Sequence, residues 1–157
     1  MSEVREVYSM LIPLAGSKLI LPRTAVREVM GYTPPRDCPE DAPDWFLGLV
    51  GWEGQQAPLI SVEAACGRGV PETGRRSRIT YLHALKGELQ PPVFGIVSQG
   101  YPYLVRVTEG VLQSVEDPDY RDGSPIITQM RMANERPWVP DLETLEDWLL
   151  GVMPEPA

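Results

Sequence analysis

The sequence has few of the residues that form metal sites. It contains two cysteines, Cys38 and Cys66, and one histidine, His83. The cysteines do not form a Cys-x-x-Cys pair, and a single histidine leaves too few ligands for a Cys/His zinc site. We interpret the cysteines as reduced, partly buried thiols; the alternative is a disulfide, which a reducing compartment disfavours. We therefore expect no metal and no cofactor.

Positive charge is also scarce. The 157 residues carry 14 Lys and Arg against 22 Asp and Glu, a net charge of −8. Such a surface repels phosphate backbones and anionic lipid, so nucleic acid and membrane are poor candidate partners. No apolar run approaches the roughly 18 residues that span a bilayer, and the first residues lack a signal-peptide pattern. We expect a cytoplasmic protein without direct membrane insertion.

Proline and glycine are abundant, with 17 and 14 residues, and they favour short strands joined by turns over long helices. Apolar and β-branched runs predict about nine strands, at residues 8–14, 18–21, 46–52, 56–62, 78–85, 92–98, 103–107, 126–133 and 138–139. Thr24 is expected to cap a short turn or helix over residues 25–30.

The predicted organisation is one domain over residues 1–157, made of two clusters of strands. A Gly/Arg-rich connection at residues 67–77 is expected to join two lobes. Asp141 is expected to cap a final helix, because Leu142, Leu145, Trp148 and Leu149 fall on one face at helical spacing. The tail, residues 152–157, is expected to be loose.

Two segments and one histidine resemble parts of ion-binding or catalytic motifs, but each lacks residues that the motif requires. Residues 69–76 have the glycine spacing of a phosphate-binding loop, but Arg75 and Arg76 stand where Lys and Ser/Thr are needed. Residues 117–123 resemble a calcium loop, yet Arg121 replaces an oxygen donor. His83 lacks a local carboxylate and nucleophile that would indicate catalysis. We therefore expect no enzymatic activity.

The predicted hairpin at residues 46–61 carries a more specific motif than those above. It shows an apolar pair, Gly48, an apolar pair, then Gly51-Trp52-Glu53-Gly54 and, after two residues, Ala-Pro-Leu-Ile-Ser. This resembles the CheW family of chemotaxis coupling proteins, in which the pattern continues as Asn-Leu-Arg-Gly and ends in Asp. Residues 26–32, 94–98, 103–107 and 138–145 resemble further segments of that family in the same order.

The resemblance implies a mostly β fold of two five-stranded SH3-like β-barrel lobes packed together, with a short C-terminal helix. It also implies a non-enzymatic adaptor without a cofactor, which couples the cytoplasmic tip of chemoreceptors to the regulatory domain of a CheA-type histidine kinase. Divergent copies occur in accessory systems, including type IV pilus and twitching control, which is one possible setting.

Three positions depart from the family pattern: Gly51 replaces Asn, Ser61 replaces Asp and Glu53 replaces Arg. The last change inverts a charge at an exposed turn, which would repel a partner that expects Arg. The residues expected to bind the partner are Val26, Glu28, Val29, Trp45, Gly48, Trp52, Glu53 and Gly54.

Several of these residues also have a purely structural interpretation. Gly48 and Gly54 serve close packing and the turn, respectively. Trp45 and Trp52 are either interface anchors or core residues, and the valines are expected to pack partly inside. Two other functions stay open: a β-barrel that binds a small molecule in an enclosed apolar cavity, and a degenerate enzyme using His83 or a cysteine.

Overall fold

The computed structural model describes residues 6–108 and 113–153. Its strands form two sheets, and the first has six strands in the order β8-β1-β2-β11-β10-β9. Its members are β1 (Glu6–Leu14), β2 (Ser17–Pro22), β8 (Tyr103–Thr108), β9 (Gln113–Ser114), β10 (Ile126–Arg131) and β11 (Trp138–Pro140). Neighbouring pairs are antiparallel except β11 with β2, which run parallel. This sheet therefore combines early and late parts of the chain.

The second sheet has five strands in the order β3-β6-β7-β5-β4. Its members are β3 (Val26–Gly31), β4 (Phe46–Trp52), β5 (Gln55–Ile60), β6 (Arg78–His83) and β7 (Val93–Ser98). Strand β7 is buried at every position, which matches its nearly continuous apolar sequence, and β6 is buried at its four central positions. In β4, buried and partly exposed residues alternate, as in a strand with one face on the core.

Two helices complete the described chain, together with one 3-10 turn at Arg23–Ala25. Helix α1 (Val62–Ala65) follows β5, and Ser61 caps it by accepting a hydrogen bond from the Ala64 amide. Helix α2 (Leu142–Val152) is capped by Asp141, whose Oδ1 accepts from the Thr144 amide at 3.1 Å. No helix in the described ranges is long and apolar enough to cross a bilayer.

The largest apolar cluster lies between the sheets and helix α2. Both sheets contribute to it, since it contains Leu19 and Trp138 from the first, Phe94 from the second and Leu149 from α2. Trp138 is fully buried, and its indole Nε1 donates to Asp119 Oδ1 at 2.7 Å. One shared core thus packs the two lobes and the helix together. The mostly β fold of two packed lobes with a short C-terminal helix is confirmed.

Two buried carboxylates tie separate elements together. Glu63 on α1 accepts a hydrogen bond from the Ala15 amide at 2.9 Å, which joins the five-stranded lobe to the β1–β2 turn. Burial is the main cause that raises the pKa of Glu63. Glu146 on α2 accepts from the amides of Leu85 and Lys86, at 2.5 and 2.8 Å. Each carboxylate satisfies backbone donors that the sheets leave unpaired.

The structure corrects three expectations. Residues 67–77 connect α1 to β6 inside the five-stranded lobe, so they do not join the lobes; the chain passes between sheets after β2 and after β7. Residues 26–31 form a strand because they pair with β6, and only Arg23–Ala25 is a helical turn. Both cysteines are free, but Cys38 is exposed and only Cys66 is buried. Residues 154–157 of the predicted tail lie outside the described ranges, while Val152 ends α2.

Candidate functional site

The site is built on the hairpin of β4 and β5. Trp52 pairs with Gln55, which leaves a two-residue turn of Glu53 and Gly54. Both turn residues have positive φ, 47° and 76°. Positive φ at both central positions is typical of a type I′ turn, whose twist matches the flanking strands. Glu53 is an uncommon residue for this conformation, and the turn leaves its side chain 55% exposed.

Trp52, immediately before the turn, is a core residue. It is 6% exposed, and its ring lies 6.1 Å from that of Tyr81. Its indole Nε1 donates to Glu28 Oε1 at 2.7 Å. Burial is the first cause that raises the pKa of the Tyr81 hydroxyl, and the charge of Glu28 adds to it. The indole thus holds the Glu28 carboxylate in a fixed position at the lobe surface.

A charged pair covers this tryptophan. Arg27 lies 3.5 Å from Glu53, between Nη2 and Oε1, and its guanidinium lies 5.7 Å from the centre of the Trp52 ring. Arg27 and Glu28 belong to β3, whereas Trp52 ends β4, at the opposite edge of the sheet order, and Glu53 follows it in the turn. The five-stranded sheet therefore curls until its two edge strands approach each other.

Gly48 acts through the backbone. Its φ is +128°, and a Cβ at this position would lie 2.5 Å from the Arg36 carbonyl oxygen. Arg36 and Leu49 exchange two backbone hydrogen bonds, at 2.8 and 2.7 Å, that fasten the 32–45 loop to β4. The register of β4 and β5 also shifts between Phe46 and Gly48, as at a β-bulge. A glycine is required here for the close approach of the loop.

The remaining predicted residues lie apart from the turn. The Trp45 ring packs 5.6 Å from that of Trp148 on α2 and lies against the shared core. Val26 packs partly against the same core, and Val29 is half-buried opposite Thr80. The structure therefore brings together Glu28, Trp52, Glu53 and Gly54, and it leaves Trp45 on the helix side.

A family model for the CheW-like domain matches residues 9–145. The chain belongs to the CheW-like domain family. The structure of this CheW-like chain is similar to the crystal structure of the scaffolding protein TtCheW from Thermoanaerobacter tengcongensis, with a TM-score of 0.70 and 16% identity over 87% of this chain and 84% of that one. At this identity the similarity shows the fold alone. No curated protein matches the sequence.

This CheW-like chain is thus a member of a family of adaptors in chemotaxis-type signalling. Its site has the groups for recognition: a salt-bridged cation and anion at the surface, a fixed carboxylate and a buried indole. Among the residues that the structure describes, no group of three or more His, Cys, Asp or Glu side chains could hold a metal ion. His83 lies half-buried at the end of β6.

The prediction from sequence did not include Arg27 in the site. Its signal was present, because Arg27 is the one cation beside Glu28 in the segment 26–30. The contact with Glu53 joins residues on opposite edges of a sheet, however, and local spacing does not reveal such a pair. Tyr81, on which Trp52 packs, was predicted only as part of the strand at residues 78–85.

Proposed function

We propose that this CheW-like chain is a non-enzymatic, cytoplasmic adaptor that couples the cytoplasmic tip of chemoreceptors to the regulatory domain of a CheA-type histidine kinase. Its family membership supports the adaptor role. The β4–β5 turn and the adjacent part of β3 form the proposed kinase-binding surface, which we name the hairpin surface. Of the eight residues predicted from sequence, it comprises the four that the structure brings together, Glu28, Trp52, Glu53 and Gly54, and it adds Arg27.

The observation that carries the proposal is the ion pair at this surface. The resemblance implies Arg where this chain has Glu53, and the structure places Arg27 opposite Glu53 at 3.5 Å. In this ion pair β3 carries the cation and the turn carries the anion, whereas the family pattern places a cation at the turn. An exposed pair adds little stability, about 0–1 kcal/mol. Its polarity, in contrast, decides which partner charges are attracted.

The charge of Glu53 predicts the charge of the partner surface that faces it. The kinase domain that binds this chain should present a cation toward Glu53, where a conventional kinase presents an anion toward Arg. Like charges brought together at an interface disfavour the wrong partner. The chain would then serve a dedicated kinase of an accessory pathway, such as one that controls type IV pili.

The test is calorimetric titration with the purified regulatory domains of the organism's CheA-type kinases. We expect one domain to bind with micromolar affinity, about −8 kcal/mol. Glu53→Arg should weaken this binding about tenfold or more, because it removes the anion and places two cations side by side.

A charge-exchanged variant separates partner choice from internal stability. Arg27→Glu with Glu53→Arg keeps an ion pair inside the molecule but reverses its polarity. If polarity selects the partner, this double variant should remain as weak as Glu53→Arg toward the cognate kinase. Recovery of wild-type affinity would show that the internal pair matters and that Glu53 does not select the kinase. Absence of heat with every kinase would refute the adaptor role toward kinases and favour the small-molecule-binding alternative.

A further inference from the structure

The glycine-rich segment between α1 and β6 ends in an ordered turn. The Gly74 amide donates to Ser77 Oγ at 2.9 Å, and the Ser77 amide donates to the Gly74 carbonyl at 3.1 Å. These two bonds close a turn with Arg75 and Arg76 at its central positions. We name residues 74–78 the arginine turn, since Arg78 begins β6 directly after it.

The three guanidiniums of the arginine turn have different partners. Arg78 lies 4.5 Å from the ring centre of Tyr101 and donates to the carbonyls of Arg75 and Ser77 at 2.9 and 2.8 Å. It therefore holds the turn in place. The side chains of Arg75 and Arg76 make no hydrogen bond or ion pair with any residue in the described ranges. In a chain with 22 acidic residues, two adjacent unpaired cations on an ordered turn are available to a partner.

An apolar cavity lies beside this turn. Its volume is about 120 Å³, and we name it the socket; the residues that line it are Tyr32, Pro35, Leu47, Ser61, Val70, Pro71, Thr73 and Val97. Thr73 immediately precedes the arginine turn. Val97 neighbours Ser98, which pairs with Arg78 across β6 and β7. Since an apolar cavity of about 150 Å³ can hold benzene, the socket has the size of one bulky apolar side chain.

We propose that the socket and the arginine turn together form a second docking surface, which binds an acidic protein segment that carries one bulky apolar side chain. Planar guanidiniums bind carboxylates through paired hydrogen bonds. An apolar anchor in a pocket, surrounded by charged contacts, is the usual arrangement of an interface hot spot. This goes beyond the proposed kinase binding, because the two surfaces share no residue.

The chemistry of the surface favours protein over nucleic acid. The net charge of −8 opposes a polyanion with one phosphate per nucleotide more strongly than a short segment with a few carboxylates. The lining of the socket is mostly apolar, with Val70, Pro71, Leu47 and Val97 among its residues. A nucleotide base is aromatic, but its polar edge groups would lack hydrogen-bond partners in such a lining.

The probe for the test is a 12-residue peptide of Glu and Ala with one central Phe. Its binding to the full chain is measured by fluorescence anisotropy, and the site is mapped by amide chemical shifts. We expect shifts at residues 70–78 and at Tyr101. A peptide with Ala in place of Phe should bind about tenfold more weakly, and a peptide with Lys in place of Glu should not bind.

Substitutions in the arginine turn and the socket test whether these residues bind the peptide. Arg75→Glu with Arg76→Glu should weaken peptide binding about tenfold or more, and Val70→Glu, at an exposed position, should do the same. The matched control is Arg23→Glu with Arg131→Glu, at two exposed positions elsewhere. Both double variants change the net charge by the same amount, from −8 to −8 − 4 = −12. The control should stay within about twofold of wild type.

Four results would overturn the proposal: equal weakening by both double variants, binding of the Lys peptide, no effect of removing Phe, or tighter binding of a single-stranded oligonucleotide than of the peptide. The variants must also retain their affinity for the kinase regulatory domain within about twofold. A parallel loss there would contradict a second surface and would merge it with the hairpin surface. If the wild-type chain binds no kinase regulatory domain but still binds the peptide, the proposed function fails and this proposal stands.

Discussion

Gly48→Ala should destabilise the protein and release the 32–45 loop from β4. A residue with a side chain is strained at a φ of +128°, by about 1–2 kcal/mol. The new methyl group would also lie 2.5 Å from the Arg36 carbonyl, so the loop must move. That movement breaks the two hydrogen bonds between Arg36 and Leu49, each worth about 0.5–1.5 kcal/mol. We therefore expect a loss of about 2–5 kcal/mol.

The assay is urea denaturation followed by tryptophan fluorescence. Gly51→Ala is the matched control, since Gly51 lies in the same strand, is exposed and has open space where its Cβ would be. It should change the free energy of unfolding by no more than about 0.5–1 kcal/mol. Equal losses in the two variants would refute the reasoning, because general strand preference would then explain both. A stable Gly48→Ala variant with the loop still paired would refute it as well.

Three further predictions concern buried groups. Glu146→Gln should destabilise the fold by about 1–3 kcal/mol, because an amide cannot accept from both Leu85 and Lys86 as a carboxylate does, and thermal unfolding measures the loss. A thiol-reactive dye at pH 8 should modify exposed Cys38 quickly, while Cys66, whose pKa burial raises to about 11, should react only when the protein opens. Trp52→Phe should cost about 1–2 kcal/mol by removing the donor to Glu28, and a double-mutant cycle with Glu28→Ala should show coupling. Additive losses in that cycle, two fast thiols, or an unchanged Glu146→Gln variant would each contradict the corresponding prediction.

Local patterns predicted most strands of the fold. The β4–β5 hairpin could be predicted because apolar residues flank a short Glu-Gly turn, and α2 because Asp141 precedes a helical apolar face. Helix α2 continues to Val152, the first residue of the tail that was expected to be loose. Residues 25–30 were expected to form a short turn or helix capped by Thr24. Pairing of Glu28 with Tyr81 makes this segment a strand, and that partner is distant in sequence.

The residues that connect the two lobes could not be predicted from composition. A Gly/Arg-rich segment at residues 67–77 looks like a boundary, but β5 and β6 on either side belong to one sheet. Strand pairing depends on the whole set of available partners, and composition does not encode it locally. The same limit applies to the site. The turn residues were predicted, whereas the contact of Trp52 with Glu28 and of Glu53 with Arg27 required a curled sheet.

The order of strands has a consequence for synthesis on the ribosome. The five-stranded sheet uses only residues 26–98, so it can assemble while later residues are still being added. Strands β1 and β2, made first, must wait for β8 and β11, which end at residues 108 and 140. Until then, β1 and β2 can pair only with each other, and the two outer edges of their hairpin lack β8 and β11. The nascent chain should therefore be most exposed to chaperones and to misassociation through its earliest strands.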